Sequence, residues 1–146
     1  MRKIISTLLL LTVSALLCLS LLSCDEATSE TVITPNANAE YARDALEAAG
    51  YNVIYTSGLQ ASIMNSSATA IISATKGGES INIIYYSDSS AASTQYVKMA
   101  EDHRIEKEIA ENFGREYNYE VGIADKSAYG VYLVYLGTPE AINAAR

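Results

Sequence analysis

Ala68-Thr69-Ala70-Ile71-Ile72-Ser73-Ala74-Thr75-Lys76 and Glu79-Ser80-Ile81-Asn82-Ile83-Ile84-Tyr85-Tyr86 stand on either side of Gly77-Gly78. Two β-rich runs separated by two glycines predict a hairpin, because glycine supplies the positive φ that a two-residue turn requires. In the second run Ile81, Ile83 and Tyr85 project one way, Asn82, Ile84 and Tyr86 the other. Both sets are largely apolar, which places this strand in the middle of a sheet.

The segments outside the hairpin alternate between helical and extended patterns. Upstream, Thr34-Pro35-Asn36 is a helix start, with Pro35 or Asn36 in the opening position. An apolar stripe of Tyr41, Ala45, Leu46, Ala48 and Ala49 follows, and Gly50 is the stop. Tyr51–Tyr55 reads as a strand. Ser57–Ser67 is small and polar, with Leu59, Ile63 and Met64 as anchors for either a loop or one helical turn.

Downstream, Ser87-Asp88-Ser89-Ser90 caps a long helix from Ala91 to Phe113. Ala92, Tyr96, Met99, Ala100, His103, Ala110 and Phe113 share one side of it, and Gly114 closes it. Ile105 and Ile109 drift off that stripe, which points to a bend near His103–Arg104. Tyr117–Ala124 alternates as a half-buried strand, Asp125-Lys126-Ser127 turns, and Tyr129–Leu136 is a doubly apolar strand. Thr138-Pro139-Glu140 opens a terminal helix. The expected order is αβββαββα. This is a single α+β domain over residues 35–146, with a largely antiparallel sheet of four to five strands and two main helices on one face.

The start of the chain follows a different rule. Met1-Arg2-Lys3 is basic, and Ile4–Leu22 carries no charge and is rich in leucine, the layout of an export signal. It ends in Leu21-Leu22-Ser23-Cys24, which resembles the lipobox of bacterial lipoproteins: an aliphatic residue, a small residue, then cysteine. Cys18 follows Leu17 instead and lies within the apolar run, so the motif selects Cys24. An uncleaved spanning helix is the competing reading, since Ile4–Leu22 is close to the ~20 apolar residues a span needs. Ser6, Thr7, Thr12, Ser14 and Ser20 weaken it, and it leaves the domain on the same side of the membrane.

The resemblance implies that residues 1–23 are a signal peptide and that Cys24 carries a diacylglyceryl group. Two chains anchor firmly where one alone binds marginally. Residues 24–34 then form the lipidated cysteine and an acidic, polar tether. Its ten residues after the cysteine reach roughly 35 Å at ~3.5 Å each. The membrane is thus an expected partner through Cys24, with the domain on the extracytoplasmic face. Asp25 resembles the residue that retains lipoprotein cargo in the inner membrane of Gram-negative species.

Charge and cysteine usage narrow the function classes. The chain has 10 basic and 17 acidic residues, a net charge of −7. Removing Arg2 and Lys3 with the signal leaves all the acids and takes the net charge to −9, which repels nucleic acid and anionic lipid. Only Cys24 would survive processing, so no disulfide, thiol nucleophile or cysteine metal site is expected. About 110 residues suffice for a core without such staples.

His103, the only histidine, sits in Asp102-His103-Arg104. A catalytic base needs a nucleophile and an orienting carboxylate converging on it. The position of His103 beside Met99 and Tyr96 favours a packed or rim side chain. His103 and Glu106 share a helix face, yet two ligands do not make a metal site. The acids Glu101, Asp102, Glu106, Glu108 and Glu111 alternate with Lys98, Arg104, Lys107 and Arg115, as on a solvated face with ion pairs. No calcium loop or phosphate loop is present, and no cofactor is expected.

The chain contains 11 tyrosines against one phenylalanine and no tryptophan. This suits half-buried strands, or a binding platform for a peptide or glycan should several share an exposed face. The expectation is a lipid-anchored envelope protein whose domain binds or scaffolds an envelope protein or peptide without catalysis. The alternatives are a small envelope hydrolase using His103 and a small-ligand receptor.

Overall fold

The computed structural model describes residues 32–146. Residues 1–31, on which the expected signal peptide, Cys18, Cys24 and most of the expected tether fall, lie outside them. The helices are α1 (Ala39–Ala48), α2 (Gly58–Met64), α3 (Ser89–Asn112) and α4 (Pro139–Ala144). The strands are β1 (Asn52–Ser57), β2 (Ala68–Lys76), β3 (Glu79–Tyr86), β4 (Glu120–Lys126) and β5 (Val131–Gly137). The five strands form one sheet in the order β1-β2-β3-β5-β4, and every neighbouring pair is antiparallel. The architecture is α+β, as expected.

The Gly77-Gly78 hairpin forms in the expected register, with Lys76 opposite Glu79. Gly77 adopts φ +58, and Gly78 does not share that left-handed backbone. Positive φ at the first central residue alone is the pattern of a type II′ turn. β3 occupies the centre of the sheet, with β2 on one side and β5 on the other.

Alternation along these central strands builds two cores. One contains Ile72, Ile83, Tyr85, Leu133 and Tyr135, and is covered by Ala42 and Leu46 of α1 and Ala141 and Ile142 of α4. The other contains Ile71, Ile84, Tyr86 and Val134, and is covered by Ala61 of α2 and Ala92 and Met99 of α3. The helices therefore do not share one face, contrary to the sequence expectation. A strand with apolar side chains on both faces needs cover on both, since an uncovered apolar face would stay in water.

Local starts and stops explain most boundaries. Asn38 caps α1, its Oδ1 accepting from Glu40 N at 2.9 Å and Tyr41 N at 3.1 Å. The helix thus begins a few residues later than Pro35, which is fully buried. The peptide before it is pinned to the first face: Tyr85 donates to the Asn36 carbonyl at 3.1 Å, and Asn36 N donates to the Ala145 carbonyl at 2.8 Å. Asp88 caps α3, with Oδ1 accepting from Ala91 N at 2.7 Å.

At 24 residues and 1.5 Å per residue, α3 outruns the strands beneath it. The helix continues without interruption through His103 and Arg104. The drift in its pattern appears as exposure, with Ile105 and Ile109 open to solvent; Phe113, expected on the buried stripe, is exposed too, because it lies at the helix end that runs past the sheet. The β4–β5 connection is a single 3₁₀ turn, Ser127–Tyr129. β4 starts at Glu120, so Tyr117 and Tyr119 precede the strand in which they were expected.

Candidate functional site

His103 lies where α3 passes over the segment that leads back to β4. Its Nε2 donates to the Tyr119 carbonyl at 2.9 Å, and its ring meets Tyr117 edge-on with centroids 5.2 Å apart. The Tyr117 hydroxyl donates to Glu106 at 3.0 Å. Ser80 Oγ and the Tyr119 hydroxyl lie 3.1 Å apart. These contacts fasten the extended return segment to the helix and to β3. The imidazole bonds a peptide carbonyl, a partner that orients a ring but does not activate a nucleophile. Burial and the Glu106 carboxylate both push the Tyr117 phenol well above its ordinary range.

The acidic face of α3 is partly paired. Arg104 bridges Glu101 at 2.8 Å and Glu108 at 3.2 Å, one turn to either side. The Arg104 guanidinium holds the Glu101 carboxyl below its usual range. Glu106, by contrast, is used by Tyr117. Among the described residues no three His, Cys, Asp or Glu side chains gather into a metal cluster.

A different place offers a concave surface. Where the α2–β2 loop meets the first turns of α3, Asn65, Ser66, Ser67, Tyr86, Ser90, Ala91, Thr94 and Gln95 line an open cavity of about 300 Å³. Three features of the chain assemble it. Ser67 takes φ +68, a left-handed backbone uncommon outside glycine, and turns the loop into β2. A register shift between Ala68 and Ala70 follows directly. The Asp88 cap fixes the first turn of α3 opposite.

Hydrogen bonds hold the cavity floor in place. The Tyr86 hydroxyl donates to Asn65 Oδ1 at 2.8 Å, and Asn65 Nδ2 donates to Gln95 Oε1 at 3.2 Å. Thr94 Oγ1 donates to the Ser90 carbonyl at 2.9 Å. Burial pushes the Tyr86 phenol up to about 12. Tyr86 is therefore a donor at any physiological pH. The Gln95 amide nitrogen and the hydroxyls of Ser66, Ser67 and Ser90 add neutral donors and acceptors to the lining. Such a surface suits a small uncharged ligand carrying hydroxyls or amides.

Sequence reasoning placed His103 and missed this cavity. Its residues come from the Asn65–Ser67 loop, the end of β3 and the first two turns of α3, and the loop carries only an ordinary turn signal. Their meeting depends on α2 carrying the chain across the second face. The tyrosines do not converge on a platform: Tyr41 and Tyr129 are exposed on separate elements, and the other nine are buried or half-buried. Among the described residues no helix is long and apolar enough to cross a membrane. No protein-family model matches the chain, and no curated protein or solved structure matches it either.

Proposed function

We propose that the protein is a lipid-anchored binding module of the bacterial envelope, held by Cys24 on the extracytoplasmic side. Its domain receives a small neutral, hydroxyl- or amide-bearing ligand, free or as part of a larger envelope partner, in the cavity beside Tyr86. The observation that carries the binding half is this cavity, whose lining is uncharged although the chain as a whole is strongly acidic. The anchor half rests on Leu21-Leu22-Ser23-Cys24 and the basic, apolar run before it. Two features favour their combination. The chain joins the domain on the first face, where Tyr85 and Ala145 hold Asn36, while the cavity opens on the second. The peptide at Asn36 thus enters the domain on the face opposite the cavity. His103, bonded to a carbonyl and packed on Tyr117, supports a structural role for the histidine and not the hydrolase reading.

Two measurements test the halves separately. Labelling with a fatty-acid analogue should be lost in Cys24→Ala and retained in Cys18→Ala; the reverse pattern defeats the anchor. Thermal melting of the full chain against neutral sugars and N-acetylated amino sugars should show a stabilising compound. Gln95→Ala should abolish its effect. A series that leaves the melting temperature unchanged, or that shifts Gln95→Ala equally, defeats the cavity. Failure of a His103→Ala protein, folded and anchored normally, to complement a deletion would restore the hydrolase.

A further inference from the structure

Hydrogen bonding gives the cavity beside Tyr86 a fixed polarity. The Tyr86 side chain is 1 % exposed, so its phenolic proton needs an acceptor within the protein, and burial keeps that proton in place. Asn65 Oδ1 is the acceptor, at 2.8 Å. The Asn65 backbone is held on both sides, its N–H donating to the Ala61 carbonyl at 2.9 Å and its carbonyl accepting from Ala68 N at 3.0 Å. A reversed Asn65 amide would set its NH2 against the Tyr86 hydroxyl and leave the buried proton unpaired. The amide is therefore kept with Nδ2 toward Gln95, where it donates to Oε1 at 3.2 Å. With its oxygen so engaged, Gln95 presents its NH2 donors to the cavity.

The neighbouring side chain has the opposite polarity. Thr94 Oγ1 donates its proton to the Ser90 carbonyl at 2.9 Å, which leaves the oxygen as an acceptor. Ala91 precedes Thr94 by three residues and Gln95 by four, so its methyl lies on the same side of α3, one turn earlier. All three side chains line the cavity. A donor, an acceptor and a methyl thus stand together on a helix start fixed by the Asp88 cap.

We infer that the cavity recognises a secondary amide, with its carbonyl on Gln95 Nε2, its N–H on Thr94 Oγ1 and its acyl methyl against Ala91. This deepens the binding reading proposed above and rests on it. Other groups match less well. An ester has the carbonyl but sets a second acceptor against Thr94. A carboxylate does the same and brings negative charge to a chain of net charge −7. A hydroxyl has its donor and acceptor on one atom, whereas an amide presents them on separate atoms of one rigid plane. Tyr86 and Asn65 are positioning residues, which set the end of Gln95 that meets the ligand.

Probe pairs that differ only in N–H against O test this on the full chain in detergent micelles. One pair is N-acetylglucosamine and 2-O-acetylglucose; the other is the methyl esters of N-acetylalanine and O-acetyllactate. Affinity is read from chemical-shift titration of the Asn65 and Gln95 side-chain amides. In at least one pair the N–H compound should bind about tenfold more tightly, the scale of one added hydrogen bond. The pair that binds distinguishes an amino sugar from a peptide as the source of the amide. Gln95→Glu keeps an oxygen for Asn65 but has no donors, and should abolish binding. Tyr86→Phe frees the Asn65 amide to reverse, and should collapse the preference for N–H over O in a protein that still folds. Equal binding within both pairs overturns the inference and leaves the cavity reading standing. No binding by any probe overturns both. An unchanged preference in either variant overturns the assigned polarity and with it the inference.

Discussion

The two faces of the sheet are built from the same strands and solve different problems. The first is closed by two short helices that lean on Ile83, Leu133 and Tyr135. Its tyrosine hydroxyls are spent on fixing the chain: Tyr85 on the Asn36 carbonyl and Tyr51 on the Glu79 carboxylate. The second carries the long α3 and the short α2, and its buried tyrosine, Tyr86, holds an amide pair at a cavity. One face is sealed for stability, and the other is left partly open with polar groups in view. Adjacent residues on β3 belong to opposite worlds, which makes the difference measurable.

The largest expected contrast is between Ile83 and Ile84. Ile83→Ala removes a fully buried side chain from the sealed face and should cost about 3–5 kcal/mol. Ile84→Ala, on the more open face, should cost nearer 2 kcal/mol, since the site relaxes more readily. Denaturant melts of the two variants would decide it, and equal losses would break the comparison.

Alkali should come next. Burial and the Glu79 hydrogen bond push the Tyr51 phenol up to about 12, and burial does the same to Tyr86. Tyr85 is raised further by desolvation. The unfolded chain releases these protons near pH 10 while the fold retains them. Stability is therefore complete below pH about 10 and falls as pH rises toward about 12, because the unfolded state then binds fewer protons. Tyr85→Phe should flatten that fall more than Tyr86→Phe, as measured by melting temperature against pH.

Gly122 sharpens the account of the sealed face. A Cβ there would run into the Tyr135 ring, whose hydroxyl reaches toward the Ile33 carbonyl at 3.5 Å. Gly122→Ala should cost about 1–3 kcal/mol through that overpacking, with the ring's displacement visible in its aromatic chemical shifts. The smallest effect belongs to the open face. Tyr86→Phe leaves Asn65 Oδ1 without its donor and should cost about 1 kcal/mol, softened where water enters the cavity.

Much of this was legible in the sequence for identifiable reasons. The hairpin announced itself because Gly77-Gly78 and two β-rich runs agree at every level, turn chemistry included. α3 and α4 carried their own punctuation in Asp88 and Pro139. The helix α2 did not: it is seven residues long, buries only Ala61 and has no side-chain cap, so neither period nor signal betrayed it. Because Ser57–Ser67 was left open between a loop and one helical turn, the cavity that α2 helps to wall went unread. The placement of helices on both faces could have been drawn from the doubly apolar pattern of Ile83-Ile84-Tyr85-Tyr86. That pattern was used to centre the strand and not to count the layers. His103 was placed on the correct stripe, but its carbonyl partner comes from a return segment that the sequence had assigned to a strand.

The way the chain joins the domain also fixes how it bears load. Force applied to the N-terminal end reaches Asn36, which is tied to Tyr85 on β3 and to Ala145 after α4. The pull therefore enters at the middle of the sheet instead of peeling an edge strand residue by residue. Lifetime under tension is set by the unfolding rate and not by equilibrium stability. While those two hydrogen bonds hold, the pull is shared with the central strand before it reaches α1 and the edge strand β1 that follows it in the chain.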